Sequence, residues 1–114
     1  MNVRLLLAAS AVVLATQTPW SAQAFECPKH FAAAQVAIDK VAADIEADLP
    51  WKRTEDKSLV RALLDDAKSR LASAKQSHEN SQDSYDHARA IAQADSALGY
   101  AKATDIFHLH LMAN

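Results

Sequence analysis

The chain carries one cysteine and one glycine. A lone thiol excludes an internal disulfide and leaves no second cysteine for a c-type haem site or a redox C-x-x-C motif. With one glycine there is nothing from which to build a Gly-rich phosphate loop, and no nucleophile elbow or acid pair in an evident pocket is present. Enzymatic activity is therefore not expected. The apolar run Leu5 to Ala15 has eleven residues, well short of the roughly 20 that a membrane-spanning helix needs. Apolar positions do not alternate by two, so strands are not expected either.

What the N-terminus does contain is Arg4, that apolar run, and a polar stretch ending in Ala22-Gln23-Ala24, the layout of a secretory signal with an A-x-A cleavage site. A lipoprotein signal requires a small residue directly before the cysteine, and Glu26 stands there instead. Cleavage is expected after Ala24, giving a signal peptide over residues 1–24 and one domain over residues 25–114, periplasmic or secreted and without a membrane anchor. Taking Arg4 from 12 basic residues against 14 acidic ones leaves a net charge of −3, which argues against nucleic acid as a partner. The core of so small a domain is thin, because much of its apolar content is alanine. A metal or weak dimerisation would supplement it, and a monomer or weak homodimer is expected.

Helix formers dominate, and apolar positions recur at spacings of three and four. Three helices are predicted, over about 28–49, 54–79 and 84–112. Cys27 is a plausible cap for the first, with Pro28 at the first helical position, where its missing N–H costs nothing. Pro50 disfavours helical geometry in the preceding residue and ends that helix near Leu49. Thr54, followed by Glu55 and Asp56, supplies a capping hydroxyl and then acids at the positive end of the helix dipole. The turn Asn80 to Ser84 (NSQDS) separates the second helix from the third, with Asp83 as its cap. Gly99 lies inside the third helix at a cost of about 1 kcal/mol relative to alanine, and permits a close helix approach. Short connections make neighbouring helices antiparallel, so the expected fold is all-α, an up-down-up three-helix bundle.

Continuing the four-three spacing gives one core stripe per helix. The first runs Cys27, Phe31, Ala34, Ile38, Val41, Ile45, Leu49, and the second Val60, Leu64, Ala67, Leu71, Ala74, His78. The third runs His87, Ile91, Ala94, Leu98, Ala101, Asp105, His108, Met112. Antiparallel packing brings Cys27, His78 and His87 to one end of the bundle, with His30 one turn above the cysteine. A thiolate with two or three imidazoles from separate helices is a ligand set for copper or zinc. A helix N-terminus at Cys27 would lower the thiol pKa and favour the metal-binding form. A weaker second cluster, Asp105, His108 and Met112 with His110, lies at the opposite end, near Asp48, Glu55 and Asp56.

The segment Leu63 to Glu79 (LLDDAKSRLASAKQSHE) resembles the small metal-binding proteins of the periplasm, helical bundles of the repeat form Leu-Leu-x-x-Ala-Lys-x-x-Leu-x-x-Ala-Lys. Leu63, Leu64, Ala67, Lys68, Leu71, Ala74 and Lys75 meet that form, and the following YDHARAIAQADSALGYAKA is similar in texture. The resemblance covers about half of the expected mature chain and implies an exported bundle that binds copper or other divalent metals. Asp66 and Ser73 occupy places where such repeats often carry histidine, and the chain has five histidines, so one or two sites fit better than a high-capacity buffer. The competing function is a structural or adaptor bundle that presents exposed helix faces to a protein partner and uses Cys27 for an intermolecular disulfide.

Overall fold

A computed structural model describes residues 19–47 and 51–114, with side chains in the first helix from Glu26 onward. Three helices make up this structure: α1 (Pro19–Ala47), α2 (Thr54–Glu79) and α3 (Ser84–Ala113). The expected leader lies mostly outside the described residues, as do Asp48, Leu49 and Pro50.

Polar pairs between the helices give their directions. His30 meets Asp95 and Lys40 meets Asp105, so α1 and α3 advance together and run parallel. Glu46 near the end of α1 pairs with Arg61 near the start of α2, while Phe31 touches His78 near its end, so these two run antiparallel. Arg70 reaches Ser96 and Tyr100, and His78 meets His87, which makes α2 and α3 antiparallel too. The bundle is up-down-up, as the short connections predicted.

The core follows the predicted stripes in α1 and α2. Ala34, Ile38, Val41 and Ile45 are buried against Val60, Leu64, Ala67 and Leu71. In α3 the buried row is His87, Ala90, Ala94, Ala97, Ala101, Thr104 and His108, one position away from the predicted Ile91, Leu98 and Asp105 at alternate steps. Those three, and Met112 beyond the end of the row, are only half-buried. Small side chains at the centre of the seam let α3 sit close to both partners, and its larger apolar residues pack on the flanks instead.

The helix ends also correct the sequence reading. α1 begins eight residues before Cys27, so Pro28 lies inside the helix rather than at its first position, and Cys27 is not a cap. The helical backbone continues across the expected cleavage point after Ala24. Arg53, not Thr54, occupies the N-cap of α2 and makes no side-chain cap bond. Thr54 is the first helical residue, and its carbonyl accepts from the Ser58 hydroxyl. By contrast, Asp83 caps α3 as predicted, its carboxylate accepting from the Asp86 N–H at 3.0 Å. Asp86 in turn accepts from the N–H of Gln82, the residue before the cap, at 2.9 Å, so two aspartates tie the turn to the first turn of α3. At the far end, Trp51 donates its indole N–H to the Ile45 carbonyl, satisfying one of the orphan acceptors in the last turn of α1.

Candidate metal centre

The tight turn between α2 and α3 positions two histidines. His78 is the penultimate residue of α2, and its carbonyl accepts from the Ser81 N–H at 3.3 Å while Asn80 N–H closes on Gln76. The double-aspartate cap fixes where α3 begins, and His87 follows in its first turn with its N–H directed to the Asp83 carbonyl. The imidazoles of His78 and His87 meet edge-on, with ring centroids 5.2 Å apart. Phe31 from α1 also packs edge-on with His78, with ring centroids 5.5 Å apart.

Cys27 completes the group. It is fully buried, and its Sγ lies 3.9 Å from His87 Nδ1 and 3.7 Å from the His87 carbonyl oxygen. One ligand atom each from Cys27, His78 and His87 falls within 4.8 Å of the others, the one such group of three His, Cys or acidic ligands among the described residues. These three side chains can hold a metal ion. Around tetrahedral zinc, with Zn–S near 2.3 Å and Zn–N near 2.0 Å, ligand atoms stand about 3.3–3.6 Å apart. A separation of 4.8 Å therefore has to close by about 1.2–1.5 Å, and the 3.9 Å between Cys27 Sγ and His87 Nδ1 by only a few tenths.

The far nitrogen of one candidate ligand is already held. His87 Nε2 lies 3.2 Å from the Ser81 hydroxyl, which leaves Nδ1 directed at the cysteine. An imidazole held through its other nitrogen keeps one tautomer and one orientation, as metal-ligating histidines do. His78 Nδ1 is buried and makes no hydrogen bond, a cost that a metal–nitrogen bond would offset. The charge state of the thiol differs from the sequence expectation: burial pushes the Cys27 pKa up, its backbone hydrogen bond only partly opposes this, and the Glu26 carboxylate adds to the rise. The expected lowering needed a helix N-terminus at Cys27, and α1 starts two turns earlier.

The remaining predicted ligands lie outside this group. His30 stands on the flank of α1 with Nδ1 at 2.5 Å from Asp95 Oδ1, outside the group of three. At the opposite end, His108 is fully buried with its ring tilted on Trp51 at 5.3 Å, and Asp105 turns one oxygen to Lys40 at 3.6 Å. Met112 is half-buried and His110 exposed. What sequence reasoning missed was the part of Ser81, which sits in a turn and gives no periodic signal.

Compared with protein-family models, curated proteins and solved structures, the chain matches none. No helix among the described residues is long and apolar enough to cross a membrane.

Proposed function

We propose that this chain is an exported metal-binding protein that holds one copper or zinc ion between Cys27, His78 and His87. Its role is to sequester the ion or hand it on, not to catalyse a reaction. The observation that carries the reading is the convergence of three ligand atoms from three different helices within 4.8 Å. Soft sulfur with two borderline nitrogens suits Cu(I), Cu(II) and Zn(II) over the hard cations, which prefer oxygen. Three protein ligands leave a tetrahedral ion one open position, through which a recipient can enter before the protein lets go. The secretory layout of the N-terminus and the resemblance of Leu63 to Glu79 to small periplasmic metal-binding proteins support the same assignment.

The adaptor reading requires Cys27 to reach another chain, whereas Cys27 is fully buried beside His87. A disulfide between chains would first have to open this end of the bundle.

The test is calorimetric titration of Cu(II) and Zn(II), and of Cu(I) under anaerobic reducing conditions, into the protein and into Cys27→Ser, His78→Ala and His87→Ala. One equivalent should bind, with each substitution weakening binding by at least about tenfold, or 1.4 kcal/mol. Equal affinity in all four proteins, or binding no tighter than about millimolar, would remove the site.

A further inference from the structure

α3 carries a second seam that the bundle leaves uncovered. Tyr85, Ala88, Ala92, Asp95, Gly99, Lys102, Ile106, Leu109 and Ala113 recur at strict alternating intervals of three and four, and every one is exposed. Three of them are among the most exposed large apolar or aromatic side chains described: Tyr85 at 72%, Ile106 at 69% and Leu109 at 58%. Seven of these nine positions are apolar, aromatic or small, all but Asp95 and Lys102, and such residues at seven-residue spacing along one helix face are the pattern of a helix–helix interface. The buried seam on the other side of α3 accounts for the bundle and leaves this one without a partner among the described residues.

Gly99 stands at the midpoint of this outer seam. A glycine inside a helix costs about 1 kcal/mol relative to alanine, and nothing among the described residues requires it: a Cβ added there meets none of their atoms within 4 Å. The close approach that the sequence suggested is therefore not to α1 or α2. It remains open to something arriving from outside.

The order of residues about Gly99 identifies the visitor. Laid antiparallel on itself with a two-fold axis at Gly99, the seam sets Asp95 opposite Lys102, Ala92 opposite Ile106, Ala88 opposite Leu109 and Tyr85 opposite Ala113. Every bulky side chain faces a small one, and every charge faces its opposite. In a two-fold interface each such pair occurs twice, because the same patch serves both subunits. In a parallel pairing, Asp95 would face Asp95, Lys102 would face Lys102, and the bulky residues would collide. We propose that the outer face of α3 is the interface of an antiparallel homodimer, with Gly99 against Gly99 on the axis. The carboxylate of Asp95 is half-exposed, so it can meet the partner's Lys102 while keeping its contact with His30.

Sedimentation velocity on the full chain, from about 1 to about 500 µM, should show a monomer passing to a dimer as mass action requires. Gly99→Leu should weaken the dimer at least about tenfold while leaving helicity and thermal unfolding of the monomer unimpaired, because leucine fits an open helical site better than glycine. Lys102→Asp should likewise dissociate it, and adding Asp95→Lys to that chain should restore association. For orientation, a short bis-maleimide should join a chain carrying Ala92→Cys to one carrying Ile106→Cys in preference to either chain with itself. A monomer throughout, a dimer indifferent to Gly99→Leu and Lys102→Asp, or cross-linking of like to like would each overturn the proposal.

Discussion

At the scale of single residues, the site depends on how Cys27 and His87 are held. Folding favours the neutral thiol of Cys27, because burial outweighs the backbone hydrogen bond to it. Its folded pKa is raised, so its contribution to stability is fully present below about pH 8.5, the unfolded thiol value, and is lost as pH rises from there through the folded value. At neutral pH an incoming ion must therefore displace that proton. Titration of zinc in buffers of different ionisation enthalpy should show about one proton released per ion at pH 7.5, and Cys27→Ser should abolish the release. Two neighbours separate direct ligation from support. Ser81→Ala frees Nε2 of His87 and should weaken binding about tenfold with stoichiometry unchanged, whereas His30→Ala should leave affinity within about twofold, since His30 is turned to Asp95. A large loss in His30→Ala would place that imidazole among the ligands.

At the scale of elements, the seams of α1 and α2 show how far periodicity reaches. Leu71 is 3% exposed at the centre of the α2 seam, and Leu71→Ala should cost about 2–5 kcal/mol by chemical denaturation. Leu98 lies on the same nominal stripe of α3, yet it only flanks the core, and Leu98→Ala should cost clearly less. If the two costs proved equal, the seam of α3 would run through Leu98 as its sequence suggested. The sequence could not separate these cases because α3 is rich in alanine on several faces: its hydrophobic pattern is nearly symmetric, and only packing against two partners selects Ala90, Ala97 and Thr104 for burial. The aspartate cap of α3 was legible because its carboxylate acts on a neighbouring N–H three residues on, a local effect. Asp83→Ala should cost about 1 kcal/mol and loosen the turn that sets His87. The start of α1 was misread for the converse reason. An interior proline removes one backbone hydrogen bond and crowds the carbonyl four residues back, so local chemistry favours reading Pro28 as a helix start, yet α1 runs through it.

At the scale of the whole molecule, the three candidate ligands are far apart in the chain and come from all three helices. Sixty residues separate Cys27 from His87, and a bundle with an alanine-rich core has few large contacts to bind its helices. The surface pairs add little: Glu46 is held below the usual carboxylate range chiefly by its hydrogen bond from Arg61, and Lys40 above the usual lysine range chiefly by Asp44, but both are exposed to solvent and salt. Glu46 should help only above the ordinary carboxylate pKa and lose that help as pH falls through its lowered folded value, with high salt weakening it throughout. An ion shared by three helices acts differently, because it binds the folded arrangement and an unfolded chain scatters its ligands. Free ion at about 100 times the dissociation constant should add about 2.7 kcal/mol, which for a domain of this size raises the melting temperature by roughly 10–20 °C. Scanning calorimetry with and without zinc should show that rise in the parent chain and lose it in Cys27→Ser and His87→Ala, while Asp105→Asn, at the opposite end, retains it. A rise that survived loss of Cys27 and His87 would place the stabilising ion elsewhere in the bundle. A rise confined to the intact trio would make the metal a clasp joining the start of the core in α1 to the turn between α2 and α3, so that releasing the ion to a recipient would also loosen the end of the bundle from which it leaves.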